Sequence, residues 1–292
     1  MQVGVVFPQT EIGADPAVIR AYAAAVEELG YAHLLAYDHV LGADPAGHPG
    51  WRGPYDVDST FHEPFVLFGY LAGITSLELV TGIVILPQRQ TALVAKQAAQ
   101  VDILTEGRFR LGVGLGWNRV EYEALGRDFS DRGRRIGEQV RLLRRLWTER
   151  SVTFEGRYES VRAAGLAPLP VQRPIPVWFG ASTPPALRRV GRLADGWFPQ
   201  RRPGPELEEG LGIVRAAAAA AGRDPAGIGV EGRVHLSDGV DAVLAQISAW
   251  RALGASHVGV NTMGVGAVGV DRHIALLAEV ASEIGLPNRT AR

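Results

Sequence analysis

Residues 176–199 (PVWFGASTPPALRRVGRLADGWFP) narrow the possible folds more than any other stretch. The segment opens on a short apolar run, 176–179, breaks at Gly180-Ala181-Ser182-Thr183 and turns helical at Pro184. Proline suits a first helical turn, where its missing N–H would have no partner, and Ser182 or Thr183 can cap. Leu187, Val190 and Leu193 then fall on one stripe and Arg188, Arg189 and Arg192 on another, the pattern of a half-buried helix. Asp195-Gly196 turns the chain into a second apolar strand, Trp197-Phe198. Strand, helix and strand in succession build a parallel sheet, because parallel neighbours need a crossover.

The same alternation runs through the chain. Apolar strands are predicted near residues 3, 32, 79, 109, 176, 196, 230 and 257, with helical segments between them. Eight β/α units in 292 residues predict an α/β fold of the TIM (β/α)8 barrel type; a doubly wound sheet is the alternative. No shift of composition divides the chain, so 1–292 reads as a single domain. Residues 41–62 interrupt the alternation. They are rich in Gly, Pro and Asp, carry Trp51, Tyr55 and Phe61, and are predicted to form a lid or pocket wall. Residues 151–174 hold a hairpin around Glu155-Gly156 and a proline-containing excursion. In a barrel the site lies at the C-terminal strand ends. Those ends carry Asp38-His39, residues 82–89, Gly116-Trp117-Asn118, Gly180-Ala181-Ser182 and Gln200-Arg201.

Composition removes several chemistries. Without cysteine there are no disulfides, thiolate metal sites or cysteine nucleophiles. Lys96 is the one lysine, so Schiff-base chemistry has a single candidate. A formal net charge of -1 argues against a nucleic-acid partner. No apolar run approaches a membrane span and the first residues enter a strand directly, so the expectation is a cytoplasmic protein that works away from membranes.

Individual motifs keep two readings each. The small residues at 180–182 either make a tight turn or bare their N–H groups as an anion seat at a helix N-terminus. His39, beside Asp38, is either a general acid/base or a loop histidine bonded to backbone. His33 and His257 lie within strands and read as interior residues; the remaining histidines lack metal-ligand spacing, so no metal is expected. GVGLGW, residues 112–117, fails the dinucleotide fingerprint because its third glycine falls on Trp117. Gly82, inside a predicted strand, marks a bulge or a close backbone approach. The basic helix over 132–145 reads as a solvated face.

The stretches LLAYDHV, FHEPFVLFGYLA, LELVTGIVILPQRQTALVAKQAAQVDILTEGRFRLGVGLGWNRVEYEALG and PIPVWFGASTPPALRRVGRLADGWFP together resemble the bacterial luciferase-like superfamily of flavin and deazaflavin oxidoreductases. Within it the chain is similar to LLM-class coenzyme F420-dependent oxidoreductases. The resemblance covers essentially the whole chain. It implies a TIM barrel with an insertion after the fourth β/α unit, which matches 151–174, and a homodimer. It implies a bulge with a non-proline cis peptide at Gly82-Ile83 behind the cofactor ring, a phosphate on Gly180, Ala181 and Ser182, and Asn118 among the cofactor-binding residues. Asp38 and His39 take the place of the family's catalytic Asp-His pair, and Trp51, Tyr55 and Trp117 would shape the pocket of a small-molecule substrate. The implied activity is hydride transfer to or from F420. The alternatives are an FMN-dependent monooxygenase using O2 and, from another class, a cofactor-binding protein without catalysis. Where sugar-phosphate dehydrogenases of the superfamily carry an acidic residue after the GVG strand, this chain has Trp117, with Glu121 one turn on. Basic contacts to a polyglutamylated tail would fall to Arg89, Arg201 or Arg202.

Overall fold

The computed structural model describes residues 1–266 and 269–289. Its strands are β1 (Gln2–Val6), β2 (His33–Ala36), β3 (Glu78–Thr81), β4 (Val84–Ile85), β5 (Phe109–Gly114), β6 (Val152–Glu155), β7 (Ser160–Ala164), β8 (Val177–Ala181), β9 (Gly196–Pro199), β10 (Gly229–His235) and β11 (His257–Asn261). Its helices are α1 (Pro16–Glu28), α2 (Pro64–Leu71), α3 (Thr91–Leu104), α4 (Arg119–Ala124), α5 (Arg132–Thr148), α6 (Pro184–Leu193), α7 (Pro205–Ala220), α8 (Val240–Ala252) and α9 (Val270–Glu283). Local chemistry starts several of them. Asp15 caps α1 by accepting from the Ala17 amide at 2.8 Å, Glu63 caps α2 through the Val66 amide at 2.8 Å, and both helices begin with proline.

The sheet order β3-β2-β1-β11-β10-β9-β8-β5-β4, with β3 also pairing β5, closes a ring in which every ladder is parallel. β3 and β4 are two halves of one stave, so the barrel has eight, as the alternation predicted. No helix among the described residues is long and apolar enough to cross a membrane.

The third stave is interrupted at Gly82, as the glycine within the predicted strand suggested. β3 sets Leu79 against Phe109 and Val80 against Arg110, but β4 sets Val84 against Val113, so the register slips by one residue between the halves. The slip is a bulge at 81–83, and the Gly82–Ile83 peptide bond within it is cis. Glycine at 112 makes room for it: a Cβ there would lie 1.9 Å from the Thr81 carbonyl. The Thr81 hydroxyl donates to the Gly112 carbonyl at 2.8 Å and fastens the two strands.

The insertion is the antiparallel β6–β7 hairpin, which follows the fourth barrel strand and its helices. Its second strand ends at Ala164. The Glu138 carboxylate on α5 accepts from the amides of Arg157, Tyr158 and Glu159 at 3.1, 2.8 and 2.7 Å and so holds the hairpin turn.

The barrel interior is filled. Near the N-terminal strand ends Glu231 accepts from Arg110 at 2.9 Å and meets His33 at 2.9 Å, while Arg110 also reaches Glu78 at 2.8 Å. Arg110 stacks on Trp178 at 4.5 Å. Glycines on neighbouring strands leave space for these large groups: a Cβ on Gly4 would lie 2.4 Å from the His33 ring, and one on Gly196 2.1 Å from Trp178. Burial alone would raise the Glu231 carboxyl, but His33 and Arg110 hold it far below the usual carboxylate range. Burial, then the neighbouring Arg110, pushes His257 down to about 3, so it is neutral at physiological pH. Above this charged tier, Val6, Leu35, Val80, Trp178 and Phe198 form an apolar plug.

Breaking a buried ion pair from one side leaves the other charge stranded, at a cost of about 3–5 kcal/mol. Glu231→Gln should therefore destabilise the protein by about that amount in urea unfolding. Because the folded-state carboxyl lies below its unfolded value, its stabilisation is complete above about pH 4.3 and is lost as the pH falls further. The stabilities of wild type and variant should converge in acid.

Candidate active site

The strand ends at the top of the barrel surround a cavity of about 610 Å3. Tyr37, Asp38 and His39 close it from β2, Gly82 and Ile83 from the bulge, Gly116 and Trp117 from β5, and Gly180 to Thr183 from β8. The absence of side chains shapes its walls. A Cβ on Gly114 would lie 2.6 Å from Ile83, and one on Gly180 3.3 Å from it. Ile83 therefore lies against bare backbone on β5 and on β8 beyond it.

His39 has the most determined environment. Its Nδ1 lies 3.3 Å from Glu121 Oε2. Glu121 is fully buried, and its carboxylate also accepts from the Val40 and Leu41 amides and from Gln88 Nε2 at 3.2 Å. Burial would raise this carboxyl, but the hydrogen bonds from His39 and the Val40 amide hold it below the ordinary range. An ionised carboxylate can only accept, so His39 carries a proton on Nδ1 and its Nε2 is left free of Glu121. The ring is packed between Phe61 at 4.8 Å, Trp117 at 5.4 Å and Tyr55 at 5.5 Å.

Asp38 does not pair with its sequence neighbour. One oxygen accepts from Arg89 at 2.8 Å and the other from the Ile85 amide at 3.1 Å. Burial outweighs these partners and leaves its carboxyl above the usual value. Arg89 in turn reaches Glu63 at 2.9 Å, so Asp38 ties the end of β2 to β4 and α2. Asn118 caps α4 through the Val120 and Glu121 amides at 3.1 and 3.3 Å, and its amide donates to the Leu41 carbonyl at 3.2 Å. Its polar atoms are thus engaged beside the cavity, at the root of the lid.

Residues 41–62 contain no helix or strand. Trp51 donates to the Tyr55 carbonyl at 3.2 Å and packs against Trp117 at 5.5 Å. A Cβ on Gly53 would fall 2.5 Å from both indoles, so only glycine fits between them. Tyr55 and Trp117 face the main cavity; Trp51 lines a second opening, of about 660 Å3, outside it.

The sequence suggested an anion seat of backbone N–H groups at 180–182. Gly180 and Ala181 lie within β8, paired to Phe198 and Pro199. Pro184 and Pro185 remove two N–H groups from the first turn of α6, and Thr183 makes no side-chain cap. Positive charge is supplied from elsewhere. Arg132, the first residue of α5, lines the same cavity as Ser182, Thr183 and Ala186, and its Nε is buried without a partner. Its ring-stacked position over Phe129, at 3.5 Å, and its bond to the Phe129 carbonyl at 2.6 Å hold it there. The sequence reading placed this arginine on a solvated face. Its position at the N-terminal end of a helix entering from the barrel mouth was the available signal. Of the arginines considered for a tail, Arg89 pairs with Asp38 and Glu63, Arg201 with Glu206 and Arg202 with Asp238.

A parallel barrel with a lidded, aromatic cavity over a bulged third strand defines a class of small-molecule site at the strand C termini. The chain belongs to the luciferase-like monooxygenase family, whose profile matches residues 1–282. An F420-dependent hydroxymycolic acid dehydrogenase of Mycobacterium tuberculosis is 31% identical over 257 residues, 85% of this chain and 66% of that protein. An FMNH(2)-dependent dimethylsulfone monooxygenase of Pseudomonas putida is 32% identical over 202 residues, 67% of this chain and 55% of that protein. The fold matches monooxygenase RslO1 from Streptomyces bottropensis with a TM-score of 0.77 at 21% identity, over 97% of this chain and 98% of that one.

Glu121→Gln keeps the shape but replaces an acceptor-only carboxylate by an amide that must also donate. The Val40 and Leu41 amides should then exchange hydrogen at least about tenfold faster, the counterpart of roughly 1.4 kcal/mol for a weakened charged hydrogen bond. Exchange mass spectrometry of peptides covering 38–45 would report it.

Proposed function

We propose that this chain is an oxidoreductase that takes coenzyme F420 at the barrel mouth and moves a hydride between it and a small organic substrate. The carrying observation is His39: an imidazole, oriented by Glu121, stands in the wall of a cavity that Arg132 also lines. When bound, the deazaflavin supplies the carbon that gives or accepts the hydride. The buried, unpartnered Nε of Arg132, together with Ser182, Thr183 and the Ala186 amide, fits the cofactor phosphate. Gly82 and Ile83 would back the ring, and bare backbone at Gly114 and Gly180 leaves it room.

His39 Nε2 would accept a proton from a substrate hydroxyl on oxidation and return it on reduction, while Glu121 stabilises the imidazolium that forms. Asp38 would act through structure, holding β2, β4 and Arg89 in place. Tyr55 and Trp117 would exclude water from the reacting groups, and Trp51 would hold the lid onto them. The F420-dependent relative is matched over more of this chain than the FMNH(2)-dependent one, which favours deazaflavin. The second reading is an FMN-dependent monooxygenase, and it rests on that latter relative. A homodimer is part of the proposal, and light scattering at micromolar protein should give twice the mass of a 31.3 kDa chain.

Fluorescence titration of the apo-protein decides the cofactor. F420 should bind with micromolar or tighter affinity and at least about tenfold better than FMN; the reverse order would transfer the protein to oxygen chemistry. Arg132→Met should weaken the preferred cofactor by about tenfold or more, as expected for a lost charged hydrogen bond. His39→Ala should lower turnover by about 10²–10⁴ while cofactor affinity stays unchanged. Unaltered turnover would remove His39 from the mechanism.

A further inference from the structure

Arg233 stands on β10 between Glu231 and His235, and the two-residue spacing puts all three on the barrel's inner face. Its guanidinium lies over the Tyr37 ring, 5.0 Å from the centroid, in the wall of the main cavity. Among the described residues it forms no ion pair and no hydrogen bond. The nearest carboxylate along its own strand is already engaged, since Glu231 holds His33 with one oxygen and Arg110 with the other. The other carboxylates at the mouth are engaged as well: Asp38 with Arg89, Glu121 with His39, and Asp238 with Arg202. His235, one position further out, is kept below its usual pKa by burial and then by Arg233 itself, so it neither supplies a counter-charge nor competes as a cation.

A half-buried guanidinium without an anion forfeits hydration and regains only its contact with the Tyr37 ring unless a ligand supplies a charged partner. Position decides which ligand. β10 lies four strands from the β3–β4 stave in either direction around the barrel, so Arg233 faces the wall that carries Ile83. A planar cofactor backed by Ile83 leaves the β10 side for the molecule that must meet its other face. Tyr37 and Gln200 share that side, and burial keeps the Tyr37 phenol protonated as a donor.

We propose that Arg233 is the specificity residue of this site, and that the substrate carries a carboxylate which Arg233 binds from the β10 wall. The proposal rests on the cofactor reading above for the identity of the opposite ligand. It narrows the substrate class to small organic acids whose oxidisable or reducible carbon lies within a few bonds of the carboxylate.

The test uses calorimetry on cofactor-loaded and apo-protein with three acid/amide pairs: acetate and acetamide, lactate and lactamide, benzoate and benzamide. At least one acid should bind at least about tenfold tighter than its amide, the margin of a charge-assisted hydrogen bond. Arg233→Met should abolish that preference, Arg233→Lys should keep part of it, and the cofactor Kd should stay within about twofold of wild type in both. Circular dichroism of the variants confirms that they fold. Equal binding of every acid and its amide, or a preference that survives in Arg233→Met, overturns the assignment. So does a cofactor Kd more than tenfold weaker in Arg233→Met with the acid preference intact, because the guanidinium then serves the cofactor. If wild type takes up neither F420 nor FMN, the cofactor reading fails separately, and the acid/amide comparison on apo-protein still decides the role of Arg233.

Discussion

A single buried carboxylate sets the geometry of the barrel mouth. Glu121 is shut away from water, and a charge in that position persists only when donors surround it. The chain meets this requirement from three directions: two amides at the root of the lid, the Gln88 side chain after β4, and the His39 ring. Each donor is thereby placed. The lid leaves the barrel at a fixed angle, the turn after the bulged stave is anchored, and the imidazole has one orientation. The ionisation of one group thus couples the loop over the cavity to the histidine inside it.

Much of the fold was legible because the barrel repeats a simple local instruction. Strands such as Val3 to Val6 and Val177 to Phe179 are covered on both faces and read as unbroken apolar runs, and the capped, amphipathic helices between them are equally plain. The irregular segment over 41–62 was legible from its composition. What escaped depended on residues distant in sequence. The bulge of the third stave was expected from Gly82, but its register slip against β5, which Gly112 on that strand admits, was not. Adjacency suggested Asp38 as the partner of His39, but neighbours at a strand end point to opposite sides. The actual partner is 82 positions away. Arg132 looked like one more arginine of a solvated helix; its place at the first position of α5 turns it into the cavity instead.

The two ends of the barrel use charge in opposite ways. At the N-terminal end Arg110, His33, Glu78 and Glu231 pair with one another, and glycines on adjacent strands give them space. Their ion pairs tie β2, β3, β5 and β10 to one another, which fits a tier devoted to holding the strands together. At the C-terminal end Arg132 and Arg233 keep donors unspent on two sides of one cavity. The apolar plug of Val6, Leu35, Val80, Trp178 and Phe198 separates the tiers. A change in the lower network therefore reaches the upper one chiefly through strand position.

The aromatic packing around His39 has a kinetic consequence. Phe61, Tyr55 and Trp117 leave its side chain only 10% exposed, and Glu121 occupies the ring's second nitrogen. The ring cannot turn over without displacing at least one of these aromatic neighbours. Its proton resonances would therefore record how often that packing loosens.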